Sequence, residues 1–388
     1  MTSLERLGKQ ILYTLNTAGY EAYFVGGFVR DKLLKRPLND VDITTAATPD
    51  IVATLFKKTV PTGAAFGTIT VILEGHPFEI TTYRKETTYD NHRHPDRIRF
   101  AETVAEDLSR RDFTINQLIM NHEGKIIDHH AGLDDLEAEI VRTIGDANSR
   151  FQEDALRILR ALRFAAQLSF SIHPETETAI KENRALLAHL SSERVQEELV
   201  KLFDAEAKAP VLEKMLVLGV GETLGFSETL KTFLEVRSSF DSTDFFIVMH
   251  SKHEFDETYY RLSKTFVKTI KDGAALLNRR KTKPFEARDL FDYGFKLCER
   301  IAKLIHALGF SDQRKHVRNL ADTLPIHTLE ELAYRGRHIK NELNPDHSRH
   351  IAIVQDILLN KVLDRSLPNR YTDLKTAAIT ILNSIKSE

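Results

Sequence analysis

Near residue 145 the hydrophobic periodicity of this 388-residue chain changes. Before it, short β-prone runs (YFVGG, DVDIT, GTITVIL and PFEITTYR) alternate with helical segments, and Glu74-Gly75 supplies a tight turn between the last two. After it, almost every segment has helical spacing, beginning with FQEDALRILRALRFAAQL, where Leu156, Leu159, Leu162, Phe164 and Leu168 form an apolar stripe. The pattern predicts a small mixed α/β head followed by a long helical remainder.

With 42% hydrophobic residues the chain can build roughly two to four domains. It contains no long apolar run, and MTSLERLGKQILYTL reads as an amphipathic helix, not a signal segment, so no membrane partner and a cytoplasmic location are expected. Its one cysteine, Cys298, fits a reducing compartment and reads as a packed small hydrophobe. A net charge of −2 excludes a globally basic nucleic-acid binder. Local basic segments remain: RIRF from Arg97, SRRDF from Ser109, the arginines between Arg150 and Arg163, and NRRKTK from Asn278.

The window Phe24 to Thr44 carries the first chemical signal. Tyr23 to Val25 reads as a strand, Gly26-Gly27 as a turn, and Val29 to Leu34 as a helix bearing Arg30. A helix start behind two glycines offers free N–H groups to a phosphate. In Asp40-Val41-Asp42 a strand's two-residue period sends both carboxylates to one face, roughly 6 to 7 Å apart, where they can share Mg²⁺ ions. Val41 and Ile43 then face the core.

Further on, EDLSRRDFTINQLI predicts a helix with Arg111 and Asp112 at its head and Phe113, Ile115 and Leu118 on its apolar face. Arg111 suits a triphosphate, because the guanidinium fork matches phosphate oxygens. Asp134 and Asp135 are expected to cap the helix after Gly132. The polar stretch KETTYDNHRHPD reads as a loop beside the site with a gating role, and neither its histidines nor His129-His130 complete a zinc set. Finally, Glu153-Asp154 precede Arg157, Arg160 and Arg163 on what reads as one helix, with Asp154 and Arg157 side by side. Such a pair accepts from an exocyclic amine and donates to a ring acceptor. It therefore matches cytosine and adenine and opposes uracil and guanine.

These motifs resemble, in order and over roughly the first 205 residues, the bacterial class II CCA-adding enzymes, tRNA nucleotidyltransferases of the polymerase-beta-like type. GGFVRD with DVD is similar to their catalytic motif, RRDFTINQL to the ribose and phosphate motif, GLDDL to the hinge, EDALRILRALRF to the amino-acid template and SSERVQEELVKLF to a helix-turn element. LPIHTLEELAYRG resembles a tail segment of the Gram-positive enzymes. The resemblance implies an α+β fold: a polymerase-beta-like head with a mixed sheet over residues 1–145, then an all-α neck (146–205), body (206–315) and tail (316–388). It implies that Asp40 and Asp42 hold Mg²⁺, that Gly27 and Arg30 meet the triphosphate, with Gly26 beside them, and that Arg111 meets the sugar or phosphate side, with Asp112 next to it. Asp154 and Arg157 would read the base, with Arg160 and Arg163 in support. Glu79 is the candidate third carboxylate, and Glu153 a further site residue. The implied activity is stepwise addition of C, C and A to the tRNA 3′ end from CTP and ATP, with the acceptor and TΨC arms held by the helical remainder. Related poly(A), A-adding and CC-adding polymerases are the alternatives. The intact EDxxR pattern and the loop after Lys85 argue against the last two.

Overall fold

The computed structural model describes residues 3–38, 40–85, 99–236, 239–254, 262–345 and 347–386. The expected loop between Lys85 and Arg97, with His92 and His94, lies outside them. By its internal contacts the chain divides into two units, one reaching Leu234 and the other taking up the chain from Glu235.

In the first unit, α1 (Ser3–Thr17) buries Leu7, Ile11, Leu12 and Leu15, the apolar face that its periodicity predicts. The strands that follow are β1 (Ala22–Val25), β2 (Asp42–Thr45), β3 (Thr59–Gly63), β4 (Thr68–Leu73) and β5 (His76–Thr82); among the described residues β6 (Arg84–Lys85) and β7 (Arg99–Phe100) form a separate antiparallel pair. With β8 (Ile119–Met120) and β9 (Ile126–Ile127), the described residues form a seven-stranded sheet in the order β3-β4-β5-β2-β1-β8-β9. It is mixed: β2 runs parallel to β5 and antiparallel to β1. Between β4 and β5, Glu74 and Gly75 both take positive φ (49° and 83°), the two-residue hairpin geometry that matches strand twist. Phe24, Ile43, Val71, Phe78 and Ile80 are buried in the sheet.

The helices α2 (Gly27–Leu33), α3 (Pro49–Leu55), α4 (Val104–Ser109) and α5 (Gly132–Glu137) belong to the same sheet-bearing part. Beyond it come α6 (Ala147–Glu153), α7 (Leu156–Leu168), α8 (Pro174–Asn183) and α9 (Ser192–Phe203), with α7 packed on α9. A mixed-sheet head leading into helices is the expected fold class.

Four local expectations are corrected. The strand at DVDIT starts at Asp42, not Asp40: Asp42 pairs with Val25, the last residue of β1, so earlier residues have no neighbour on that side. No helix spans Arg111 to Leu118. Asp112 O accepts from Ile144 N, Thr114 N donates to Arg142 O, and only a 3₁₀ turn forms at Thr114–Asn116. The presumed single helix through Glu153 and Arg163 is two, because Asp154 is extended (φ −149°, ψ 101°). Asp134 and Asp135 sit in the first turn of α5 without capping it; the carboxylate of Asp128 accepts the N–H groups of His130, Gly132 and Leu133.

The second unit is helical throughout its described residues, with helices including Ser242–Ser251, Lys264–Arg280, Ala287–Ala307, Ser348–Leu363 and Tyr371–Lys386. Tyr334, Leu358, Leu374 and Ala378 belong to one of its apolar clusters. Arg280 of the basic NRRKTK segment is buried against Glu286 and Asp289, so it fastens helices and is no free charge. Cys298 is buried as expected, and burial pushes its thiol up to about 12. No described helix is long and apolar enough to cross a membrane.

Candidate active site

β1 is followed by Gly26, whose φ of 70° and ψ of −137° suit only a residue without Cβ. That turn opens a cavity of about 620 Å³. Gly26, Gly27 and Arg30 line it from one side, Asp42 from the start of β2 and Asp40 from just before it, Arg111 and Asp112 from the segment after α4, and Asp154, Arg157, Arg160 and Arg163 from the break and helix beyond. Sequence positions more than 120 residues apart therefore meet in one cleft. Eight arginines and five aspartates line it, with Arg84, Arg110 and Arg194 completing the cationic set. A cleft of this size and sign suits a polyanionic small molecule.

Asp42 is half-buried and lies beside Glu79 in register across the parallel β2–β5 pair. Burial, with the charges of Glu79 and Asp40, pushes its carboxyl up to about 6 against the opposing pull of Arg111. Uncompensated carboxylates of this kind suit a hard divalent cation. Among the described residues no three acidic, histidine or cysteine side chains are already gathered into a complete ligand set. Asp40 and Asp42 thus offer two carboxylates to a divalent cation whose other positions water and phosphate oxygens can fill. Glu79 is exposed and does not line the cavity.

The cationic side chains are held in place by hydrogen bonds. Arg30 is buried, donates from Nη1 to Asn116 Oδ1 at 2.6 Å, and grips both oxygens of Asp31 at 2.9 Å. Asn116 donates to Asp112 (3.2 Å), and Asp112 receives Arg160 at 2.6 Å. Burial acts to raise the pKa of Asp112, but Arg160 with the bonds from Asn116 and Phe113 N–H outweighs it and holds the carboxyl below the usual range. Arg163 donates to the buried Glu198 of α9 at 2.5 Å. The guanidinium carbons of Arg30, Arg160 and Arg163 lie 5.1, 5.4 and 4.0 Å from the centroid of the Phe164 ring, whose face favours cations.

Asp154 and Arg157 both line the cavity, joined by the Arg157 N–H donating to Asp154 O at 3.1 Å, but their side chains take different partners. Asp154 accepts Arg194 Nη2 at 2.7 Å and the Leu156 N–H at 3.1 Å. Arg157 donates to Glu153 (2.6 Å), Arg150 O and Arg110 O. Glu153 lies outside the cavity lining and clasps Arg150 as well. The break between α6 and α7 is what separates the two side chains, and each takes its own partner.

Asp107, Asn116, Arg194 and Glu198 were not singled out from sequence. A signal exists for Asp107, which stands three and four residues before Arg110 and Arg111 and binds both. Arg194 and Glu198 are one helical turn apart on α9, and nothing local marks them.

Three family models match: the poly A polymerase head domain over residues 22–142, the RNA and SrmB-binding site of polymerase A over 169–224, and tRNA nucleotidyltransferase domain 2 over 257–378. The CCA-adding enzyme of Lactobacillus gasseri is 35% identical across 97% of this chain and 96% of its own length. The Bacillus pumilus enzyme of the same name is 35% identical, with 93% of each chain covered. This chain belongs to the CCA-adding enzyme family. As a member it is a nucleotidyltransferase, in line with the resemblance read from GGFVRD, DVD and EDALRILRALRF. The crystal structure of Bacillus stearothermophilus CCA-adding enzyme in complex with CTP, 29% identical, superposes with a TM-score of 0.88 over 100% of both chains. The Thermotoga maritima CCA-adding enzyme complexed with tRNA shares the fold at a TM-score of 0.66 and 20% identity, covering 97% of this chain and 95% of that one.

Proposed function

We propose that this chain adds C, C and A in turn to the 3′ end of tRNA from CTP and ATP, releasing pyrophosphate, with side chains in place of a nucleotide strand choosing the base. One observation carries the reading: a carboxylate pair, a phosphate-sized cationic wall and the Asp154–Arg157 edge share a single cleft. The relatives named for CCA addition support the same substrates.

In this reading Asp40 and Asp42 hold Mg²⁺, with Glu79 as a neighbouring charge. Ions held there would lower the pKa of the attacking 3′ hydroxyl and neutralise charge on the triphosphate. Gly26, Gly27 and Arg30 receive the phosphates at the start of α2. Arg111 meets the sugar or phosphate side: its Nε is buried with no hydrogen-bond partner among the described residues, a donor waiting for an acceptor. Asp112 fixes Asn116 and Arg160, and through Asn116 it steadies Arg30.

Base choice follows from hydrogen-bond sense. Asp154, bonded to Arg194, presents carboxylate oxygens, which accept hydrogen bonds, so it takes the exocyclic amine of cytosine or adenine. Glu153 and two backbone carbonyls hold Arg157, which donates to a ring acceptor. Uracil and guanine place an oxygen against the carboxylate, a mismatch worth about 1 to 3 kcal/mol. Arg160 and Arg163 brace the helix that carries Arg157.

We assign residues 1–145 to the catalytic head, 146–205 to the neck, 206–315 to the body and 316–388 to the tail, the last two holding the acceptor and TΨC arms in the cytoplasm. The test is incubation of tRNA lacking its CCA end with Mg²⁺ and CTP, ATP or both, followed by product sizing. Two added residues with CTP alone and three with both are expected. Addition of a long A tract from ATP alone, as for a poly(A) polymerase, would refute the reading.

A further inference from the structure

Asp107 lies behind the cleft, fully buried, and does not line it. Its Oδ1 accepts the Arg84 backbone N–H at 3.1 Å and Arg110 at 2.9 Å (Nε) and 2.6 Å (Nη2). Its Oδ2 accepts Arg111 Nη2 at 3.0 Å and Thr44 Oγ1 at 3.3 Å. Burial acts to raise the pKa of this carboxyl, but Arg111, Arg110 and the Arg84 N–H together hold it below the usual range, so the charge is permanent at working pH.

Thr44 is two residues along β2 from Asp42, so Asp107 and Asp42 address the same face of the strand. Arg111 lies between them. A Cβ placed on Gly26 would stand 3.6 Å from Asp42 Oδ2 and 3.8 Å from Arg111 Nη1, so the guanidinium and the carboxylate flank one bare glycine. Yet Arg111 forms its ion pair with Asp107 and none with Asp42. A guanidinium that close to Asp42, with Asp40 and Glu79 adding negative charge, has a strong electrostatic pull toward them. The bond to Asp107 is what restrains it.

We propose that Asp107 is a positioning residue whose charge holds Arg111 back from Asp42, leaving that carboxylate open to a divalent cation. The inference rests on the reading of Asp40 and Asp42 as the cation site. Without the Asp107 charge, Arg111 swings onto Asp42 and becomes an internal counter-ion that the metal must displace. Arg111 is then a competitor, where in the native protein it is a neighbour aimed at the substrate.

The test is Mn²⁺ binding to the full-length protein without nucleotide or tRNA, followed by electron paramagnetic resonance of the free ion, with circular dichroism to verify folding. Asp107→Asn is expected to weaken binding about tenfold, the scale of one partly buried ion pair. Adding Arg111→Gln to that variant is expected to restore affinity to within about twofold of the native protein. A purely structural role for Asp107 would not be rescued by removing a second charged side chain. Native affinity in Asp107→Asn, or a loss that persists in the double variant, overturns the proposal. Arg111→Gln alone keeps Asp107 bonded to Arg110 and Arg84, so it decides the matter even if Asp107→Asn does not fold: binding is expected to tighten, and weakening overturns the proposal. Asp42→Asn serves as the reference. If it leaves Mn²⁺ binding intact, the cation-site reading itself fails, independently of Asp107.

Discussion

Replacing Asp112 with asparagine tests whether the arginine wall is built by buried ion pairs. Asp112 is 8% exposed and gives one oxygen to Arg160 at 2.6 Å and the other to Phe113 N–H and Asn116. Asparagine keeps one acceptor but turns an NH₂ toward either the guanidinium or the Asn116 amide, so a donor faces a donor. Breaking a buried pair costs about 3 to 5 kcal/mol. Two features reduce this: the Arg160 side chain is 34% exposed, and Glu198 stands 3.9 Å from it as a second, weaker partner. The expected loss is about 2 to 3 kcal/mol, equivalent to roughly 5 to 10 °C in the melting temperature of a unit this size. Scanning calorimetry of both proteins near neutral pH measures it. The pH dependence has a definite sign. The native carboxyl sits below 3.8, so its contribution is complete above that value and disappears as the pH falls through the depressed native value. The gap between the two proteins should therefore close in acid. A gap under about 0.5 kcal/mol at neutral pH would refute the reasoning, since surface substitutions alone reach that scale.

Gly132→Ala would place a Cβ 2.3 Å from the Thr114 carbonyl oxygen, a backbone clash expected to cost about 2 to 3 kcal/mol in urea unfolding. Arg194→Met removes the partner of Asp154; CTP incorporation should fall about tenfold while UTP misincorporation rises, as measured by single-nucleotide extension. Unchanged discrimination would deny Arg194 a part in base choice. Asp42 titrates near 6 in the cation-free protein, so Mn²⁺ affinity should be level above that pH and fall below it as the proton competes. Stability of the cation-free protein moves the other way. Because this carboxyl is raised and not depressed, the folded state gains as pH drops from about 6 toward 3.8, the reverse of Asp112.

Much of the site was legible because its chemistry is local. Gly26-Gly27 with Arg30, and Asp40 with Asp42, each lie within a few residues; the turn follows from glycine's missing Cβ, while the strand predicted to carry both carboxylates begins only at Asp42. The head-then-helices order was equally visible, since periodicity reports which face is buried. Legibility ended where a residue's conformation depends on a partner far along the chain. Asp154 reads as helix interior, yet Arg194, 40 residues on, binds its carboxylate, and the chain there is extended. Asp112 reads as a helix start, yet its backbone pairs with residue 144.

The sequence by itself determined which side chains the cleft has to work with: acids that suit a cation, arginines that suit phosphate, and the acid and arginine proposed to read a base edge. Only the tertiary structure decided how they are paired. Arg157 is held by Glu153 and Arg110 O, Arg163 by Glu198, and Arg111 by a buried Asp107 that local spacing alone would leave as a surface ion pair. The reason is physical. A charge removed from water needs its counter-charge within bonding distance, and which of many possible partners arrives there is set by the packing of strands and helices, not by spacing along the chain.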